Sequence, residues 1–169
     1  MTIFTILTGY YSYDSPLSGT YPTIGDAIAA ALPGDTIILG DGYGPETVTI
    51  TQNDITISGT SSSLGIELLI ADGVSGLVLT GDAPINVTDS LGNNVIAGND
   101  GDNVITTSGG VAAVDGGLGV DRLVVDYSLS AGVITATTAV IGSDLGTVGI
   151  TGIENYTVLT GSGADVLTF

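Results

Sequence analysis

The sequence predicts an all-β fold with one short helix near the N-terminus. Three observations carry this expectation. The chain is rich in Val, Ile and Thr, residues that suit a pleated, half-buried surface. Short apolar runs such as "DTIILG", "ETVTITQ", "DITISG", "IELLIA", "GLVLTG" and "PINVTD" are punctuated by Gly, Asp, Asn and Ser. They recur about every 8–12 residues, the rhythm of a sandwich, a barrel or a solenoid. Within the runs, apolar residues fall two apart: Val48 and Ile50, Ile55 and Ile57, Leu77 and Leu79, Ile85 and Val87. Period two places them on one face of a strand. The helix is predicted in "PTIGDAIAAALPGD", with Thr23 as N-cap, an Ala-rich body, and Pro33 and Gly34 as the stop.

Composition narrows the function. The 169 residues carry 18 acids against one base, Arg122, for a net charge of −17, with no His and no Cys. Hydrophobic residues make up 43%, so this is a folding chain rather than a solvated acidic tail. A field of this sign repels nucleic acid and anionic membranes and attracts cations. A set of oxygen-only ligands favours calcium over zinc or iron. No apolar run is long enough for membrane insertion. The start, "MTIFTILTGYYSYDSP", has no basic n-region and makes a poor secretory signal. The chain is therefore expected either to stay in the cytosol or to leave by a route that reads another signal.

The segment "GDTIILGDGYGPETVTITQNDITISG" has a distinctive layout after the predicted helix, carried by Gly34, Asp35, Thr36, Ile37, Gly42, Tyr43, Glu46, Val48, Ile50, Ile55, Ile57 and Gly59. It resembles the opening of pectate-lyase-like right-handed parallel β-helices. That resemblance covers roughly residues 21–60 and implies a fold, not an activity. A β-sandwich with a similar rhythm is the alternative.

From Asp89 the chain falls into nines: "DSLGNNVIA", "GNDGDNVIT", "TSGGVAAVD" and "GGLGVDRLV", starting at 89, 98, 107 and 116. Position four is Gly92, Gly101, Gly110 and Gly119, and position six is Asn94, Asn103, Ala112 and Asp121. Position eight is Ile96, Ile105, Val114 and Leu123. A further copy, "TGSGADVLT", contains Asp165. The pattern Gly-Gly-x-Gly-x-Asp-x-apolar-x resembles the haemolysin-type, repeat-in-toxin (RTX) calcium-binding proteins. Two nonads complete one coil, so the turns starting at 98 and 116 are expected to stack on one side and those starting at 89 and 107 on the other.

The resemblance implies Ca²⁺ between stacked turns. Carried over, the ligands are the side chains of Asn103 and Asp121 with backbone from Gly98, Gly101, Gly116 and Gly119. Asp100 and Asp102 are extra acids nearby, and Asp165 is a further candidate whose partner turn the sequence leaves open. The 89/107 side, with Asn94 and Ala112 at position six, is expected to bind calcium loosely or not at all. The alternative throughout is a metal-free Asn/Asp/Gly turn.

"DRLVVDYS", "GIEN" and "GSGADVL" in the tail also resemble this family, which implies one continuous right-handed parallel β-helix or β-roll solenoid. Its expected divisions are a strand segment at 1–20, β-helix coils at 21–88, nonapeptide coils at 89–125 and closing coils at 126–169. The acid-then-apolar end "GADVLTF" resembles substrates of the type I secretion machinery, implying a secreted, extracellular or cell-surface protein. Polysaccharide lyase chemistry lacks its usual base and cation set here, because His and Lys are absent. No pair of acids stands out for glycosidase chemistry. No catalytic residue or organic cofactor site is assigned. Neither end reads as a polar cap, so the expected role is structural: a head-to-tail homo-oligomer forming a filament or surface layer. A calcium-dependent adhesion or carbohydrate-binding module, facing cell-surface polysaccharide, is the alternative. Ice binding through Thr rows is disfavoured by irregular Thr spacing. Arg122 is expected on the outer face, either in a surface ion pair or against an acid of a neighbouring subunit.

Overall fold

A computed structural model describes residues 1–6 and 19–169. The remaining part of the expected N-terminal strand segment, residues 7–18, lies outside the described residues. Strands β1 (Ile3–Ile6) and β2 (Thr20–Tyr21) precede α1 (Ile24–Ala30), the one helix among the described residues. Then follow β3 (Thr36–Leu39), β4 (Glu46–Ile50), β5 (Ile55–Gly59), β6 (Ile66–Ile70), β7 (Gly76–Gly81) and β8 (Asn86–Thr88). The nonapeptide region forms β9 (Val95–Ala97), β10 (Val104–Thr107), β11 (Gly110–Asp115) and β12 (Arg122–Asp126). The tail adds β13 (Thr135–Ala136), β14 (Val140–Ser143), β15 (Gly146–Thr151), β16 (Asn155–Leu159) and β17 (Val166–Leu167).

The protein is thus mainly β, as expected. From β3 to β12 successive strands alternate between two sheets. The six-stranded sheet runs β16-β12-β10-β8-β6-β4 and is parallel throughout. The eleven-stranded sheet runs β17-β13-β14-β15-β11-β9-β7-β5-β3-β1-β2. It is mixed: β14 lies antiparallel to both β13 and β15. This departs from the uniformly parallel tail that the family resemblance implied. The physical cause is local. Ser143 pairs with Gly146, so only Asp144 and Leu145 connect β14 to β15. A two-residue connection closes a hairpin but is far too short for a parallel crossover.

The core lies between the sheets. The alternating residues face inward as predicted: Ile50, Ile55, Ile57, Leu77 and Ile85 are fully buried, and Leu79 and Val87 nearly so. Position eight of the four nonads starting at 89, 98, 107 and 116 is also buried, whereas Leu167 of the further copy is exposed. Each such side chain contributes roughly 1.5–3 kcal/mol relative to leaving it in water. The helix begins as expected: Thr23 is the N-cap and its hydroxyl accepts from the Asp26 amide at 3.0 Å. Ile24, Ala27 and Ile28 are buried, and α1 packs most closely on β4. Glu46, the first residue of β4, accepts from the Ile24 amide (3.0 Å) and the Gly25 amide (3.1 Å), and from the Tyr43 hydroxyl. The helix therefore stands over the β4 edge of the six-stranded sheet, where no cap was expected.

Candidate metal centre

The turns that join the two sheets stack in the predicted pairs. On one side, Gly98 lies under the Gly116 carbonyl and Gly119 over Gly101; a Cβ on Gly98 would stand 2.0 Å from that oxygen. On the other side, Gly110 sits over Gly92. The Asn103 amide donates to Asp121 Oδ1 at 2.7 Å across a step of 18 residues. The register follows: Val104 is opposite Arg122 and Ile105 opposite Leu123.

Asp121 is the chemical centre of this stack. Its carboxylate is fully buried, with Oδ1 taken by the Asn103 amide and Oδ2 without a hydrogen-bond partner among the described residues. A Cβ on Gly116 would meet Oδ2 at 2.7 Å, so the glycine keeps open the space this oxygen faces. Burial pushes the Asp121 pKa up to about 6 against the one lowering contact from Asn103, and repulsion from Glu154, Asp102 and Asp115 adds to the rise. Glu154 lies one strand further along, and its Oε2 accepts from the Asp121 amide at 2.8 Å. Glu154 stands in the "GIEN" segment, outside the nine-residue register that marks Asp121. Two carboxylates are therefore linked through successive turns.

The other predicted ligands divide. Asn103 is buried but its amide is engaged elsewhere: Oδ1 accepts from the Asn99 amide (3.2 Å) and Nδ2 donates to the Ile85 carbonyl (3.0 Å). It faces the preceding coil rather than Asp121, because an Asn at position six satisfies its turn without an ion. Asn94 does the same on the other side, with Nδ2 donating to Val74 O at 2.6 Å. Asp100 and Asp102 are exposed, and Asp102 Oδ1 caps the Val120 amide at 2.8 Å. Gly98, Gly101, Gly116 and Gly119 line the stacked turns and offer backbone oxygens. Asp165 is not brought to this group. Its turn stacks instead on residues 130–134, with Gly161 over Ser130 and Gly163 over Gly132, and its Oδ1 accepts from the Ile134 amide at 3.0 Å. Among the described residues no three Asp or Glu side chains converge as a metal-holding group. An ion here needs turn carbonyls to complete a shell around Asp121 and Glu154. The orphaned, buried Oδ2 fits such an ion; the Asn103 side chain does not.

A second buried carboxylate was not anticipated. Asp89, 6% exposed, occupies a core position next along the ladder from Ile70 and is followed by Thr107 and Val125. Thr107 Oγ1 donates to its Oδ2 (3.2 Å), and Oδ1 has no partner among the described residues. Burial raises its pKa to about 6, against lowering contacts from Thr107 and the Ser90 amide. The folded-state pKa lies above the unfolded value, so protonation stabilises the fold. That contribution is present below pH 4 and is lost as pH rises through 6. Asp89→Asn is expected to match wild type near pH 4 and to exceed it by up to about 3 kcal/mol at pH 7. Urea midpoints across that range test this; a constant difference at every pH would remove the buried charge as its cause.

Comparison with known proteins adds no relative: no family model, no curated protein and no solved structure matches the chain.

Proposed function

We propose that this chain is a calcium-stabilised, extracellular β-solenoid of the repeat-in-toxin kind, right-handed, with a structural and not a catalytic role. The observation that carries the reading is the fully buried Asp121 carboxylate, whose Oδ2 is unpartnered within stacked Gly turns and linked through backbone to Glu154. Water is excluded there, and a hard cation is the natural partner for such an oxygen. When bound, calcium supplies charge neutralisation. The chain's own part is to hold the two carboxylates and the turn carbonyls in register. Secretion belongs to the same proposal, supported by the likeness of "DRLVVDYS" and "GIEN" to that extracellular family. In calcium-poor cytosol a net charge of −17 opposes folding, and calcium outside the cell reverses that by linkage.

End-to-end assembly into a filament or surface layer is part of this proposal. The edge strands β16 and β17 present Leu159, Val166 and Leu167 to solvent, with exposed Phe169 stacked on Tyr156 beside them. At the opposite edge α1 stands over β4, so the long sheet, from β17 to β2, is the part able to continue between copies. The alternative role, adhesion or carbohydrate binding, uses the same calcium-dependent fold.

The test is melting with 5 mM EDTA or about 5 mM calcium, followed by circular dichroism and sedimentation. At a hundredfold excess over the dissociation constant, calcium should add about 2.7 kcal/mol. An unchanged melting temperature and spectrum would end the calcium reading, and monomer alone in calcium would end the filament reading. A melting shift that depends on added sugar would favour the carbohydrate alternative.

A further inference from the structure

The outer face of the six-stranded sheet is complementary to itself. Its strands follow the order β4, β6, β8, β10, β12, β16, and each presents at least two outward residues, with Asp126 on β12 and Leu159 on β16 as a third at the strand end. One outward row is Thr49, Leu69, Thr88, Thr106, Val124 and Thr157. The other holds Glu67 on β6 and Arg122, the only basic side chain of the protein, on β12. Both are exposed, and each makes a hydrogen bond to a neutral Thr of its own face. Thr88 Oγ1 donates to Glu67 at 3.5 Å, and Arg122 donates to Thr157 Oγ1 at 2.9 Å.

A half-turn about an axis parallel to the strands, midway between β8 and β10, exchanges β4 with β16, β6 with β12, and β8 with β10. It keeps every residue in its own row. Laid on a second copy in this way, Glu67 faces Arg122 and Arg122 faces Glu67. In the other row Leu69 faces Val124, Thr88 faces Thr106 and Thr49 faces Thr157. In the charged row Thr47 faces Asn155 and Asn86 faces Val104. Across the two rows no like charges meet and the only base finds an acid twice. We infer that this face pairs with the same face of a second copy in a two-fold, side-by-side dimer.

An isologous contact requires a patch to be complementary to its own rotated image, and charge placement is the most selective part of that condition. The strip is about 24 Å long, five spacings of about 4.8 Å. Such an area is below that of a stable obligate interface, so the contact is weak and concentration-dependent. It is lateral, and so independent of both the calcium and the end-to-end readings.

The full chain is examined by sedimentation over a concentration series in calcium at about 0.15 M salt, where distant charges are screened. Glu67→Arg alone and Arg122→Glu alone are each expected to weaken the dimer at least about tenfold, because each places like charges face to face. The double reversal Glu67→Arg with Arg122→Glu should restore wild-type association to within about threefold. The chain has no cysteine, so a Thr49→Cys, Thr157→Cys variant offers a clean second measurement. A bismaleimide of about 10 Å reach, matching the spacing of face-packed sheets, should give a covalent dimer. Thr49→Cys alone should not, since its symmetry mate lies a full strip length away. The inference is overturned by single reversals without effect, by a double reversal that stays monomeric, or by equal cross-linking of both cysteine variants. Equally, binding of an insoluble polysaccharide by monomer that is lost with Arg122→Glu would assign the face to another occupant.

Discussion

Gly110→Ala is expected to remove most of the folded population. Gly110 has φ +74°, and a Cβ built there lies 1.9 Å from the Gly92 carbonyl oxygen in the stacked turn below. Left-handed backbone costs an L-residue roughly 1–2 kcal/mol. The overlap adds more, because the obstacle is backbone held in register by two strands and not the end of a flexible side chain. A total loss of about 4 kcal/mol or more lies in the range that unfolds a typical domain. Gly34→Ala is the matched control. Gly34 has φ +86° but open space around it, so it should lose only the backbone term of roughly 1–2 kcal/mol. Urea midpoints of the two variants separate the effects. Equal losses would show that turn stacking, as opposed to local strain, contributes little.

Asp121→Asn should change sign with calcium. Without calcium the wild-type carboxylate is buried, repelled by Glu154 and shifted to a pKa of about 6. Its charged form therefore opposes folding at neutral pH by up to about 3 kcal/mol, a penalty absent below pH 4. An Asn in its place keeps an oxygen for the Asn103 amide and supplies an NH₂ group. Asn94 and Asn103 already use such groups to satisfy carbonyls of the preceding coil. The variant should be more stable than wild type in EDTA and less stable in millimolar calcium, where wild type gains its ion and the variant does not. Calorimetric titration should show the loss of calcium affinity directly. Destabilisation of the same size in both media would mean that Asp121 acts as an ordinary turn residue. Glu154→Gln should follow Asp121→Asn in direction with a smaller amplitude in EDTA, since Glu154 is exposed.

Much of the architecture was legible because it depends on short-range repetition. Period two placed Ile55, Ile57, Leu77 and Leu79 inward, and the nine-residue register placed Ile96, Ile105, Val114 and Leu123 in the core. The pairing of turns 18 residues apart follows from the same repetition. The helix and its Thr23 cap follow from residues a few positions apart. The candidate site was legible only in part. Asp121 stood out because its nonad is the best formed, but the position-six pattern treated Asn103 as an equivalent ligand. An amide and a carboxylate differ in what they donate, and the structure turns Asn103 toward Ile85 for that reason. Asp165 matched the motif, yet its turn meets residues 130–134, because the β14–β15 hairpin inserts into the tail and redirects the chain.

What the sequence determined by itself is the class of element and the direction of each side chain, inward or outward. Both arise from backbone periodicity and from glycine placement, which act over a few residues. What only the tertiary structure decided is which distant residues share a turn or a face. Glu154 reaches Asp121 across 33 positions. Asp89 enters an aliphatic ladder next to Thr107, and Glu67 and Arg122 fall in one outward row. These juxtapositions depend on the length of each coil, which varies outside the nonapeptide stretch. They also depend on the burial that sets carboxylate charge. Neither is a local property of the chain.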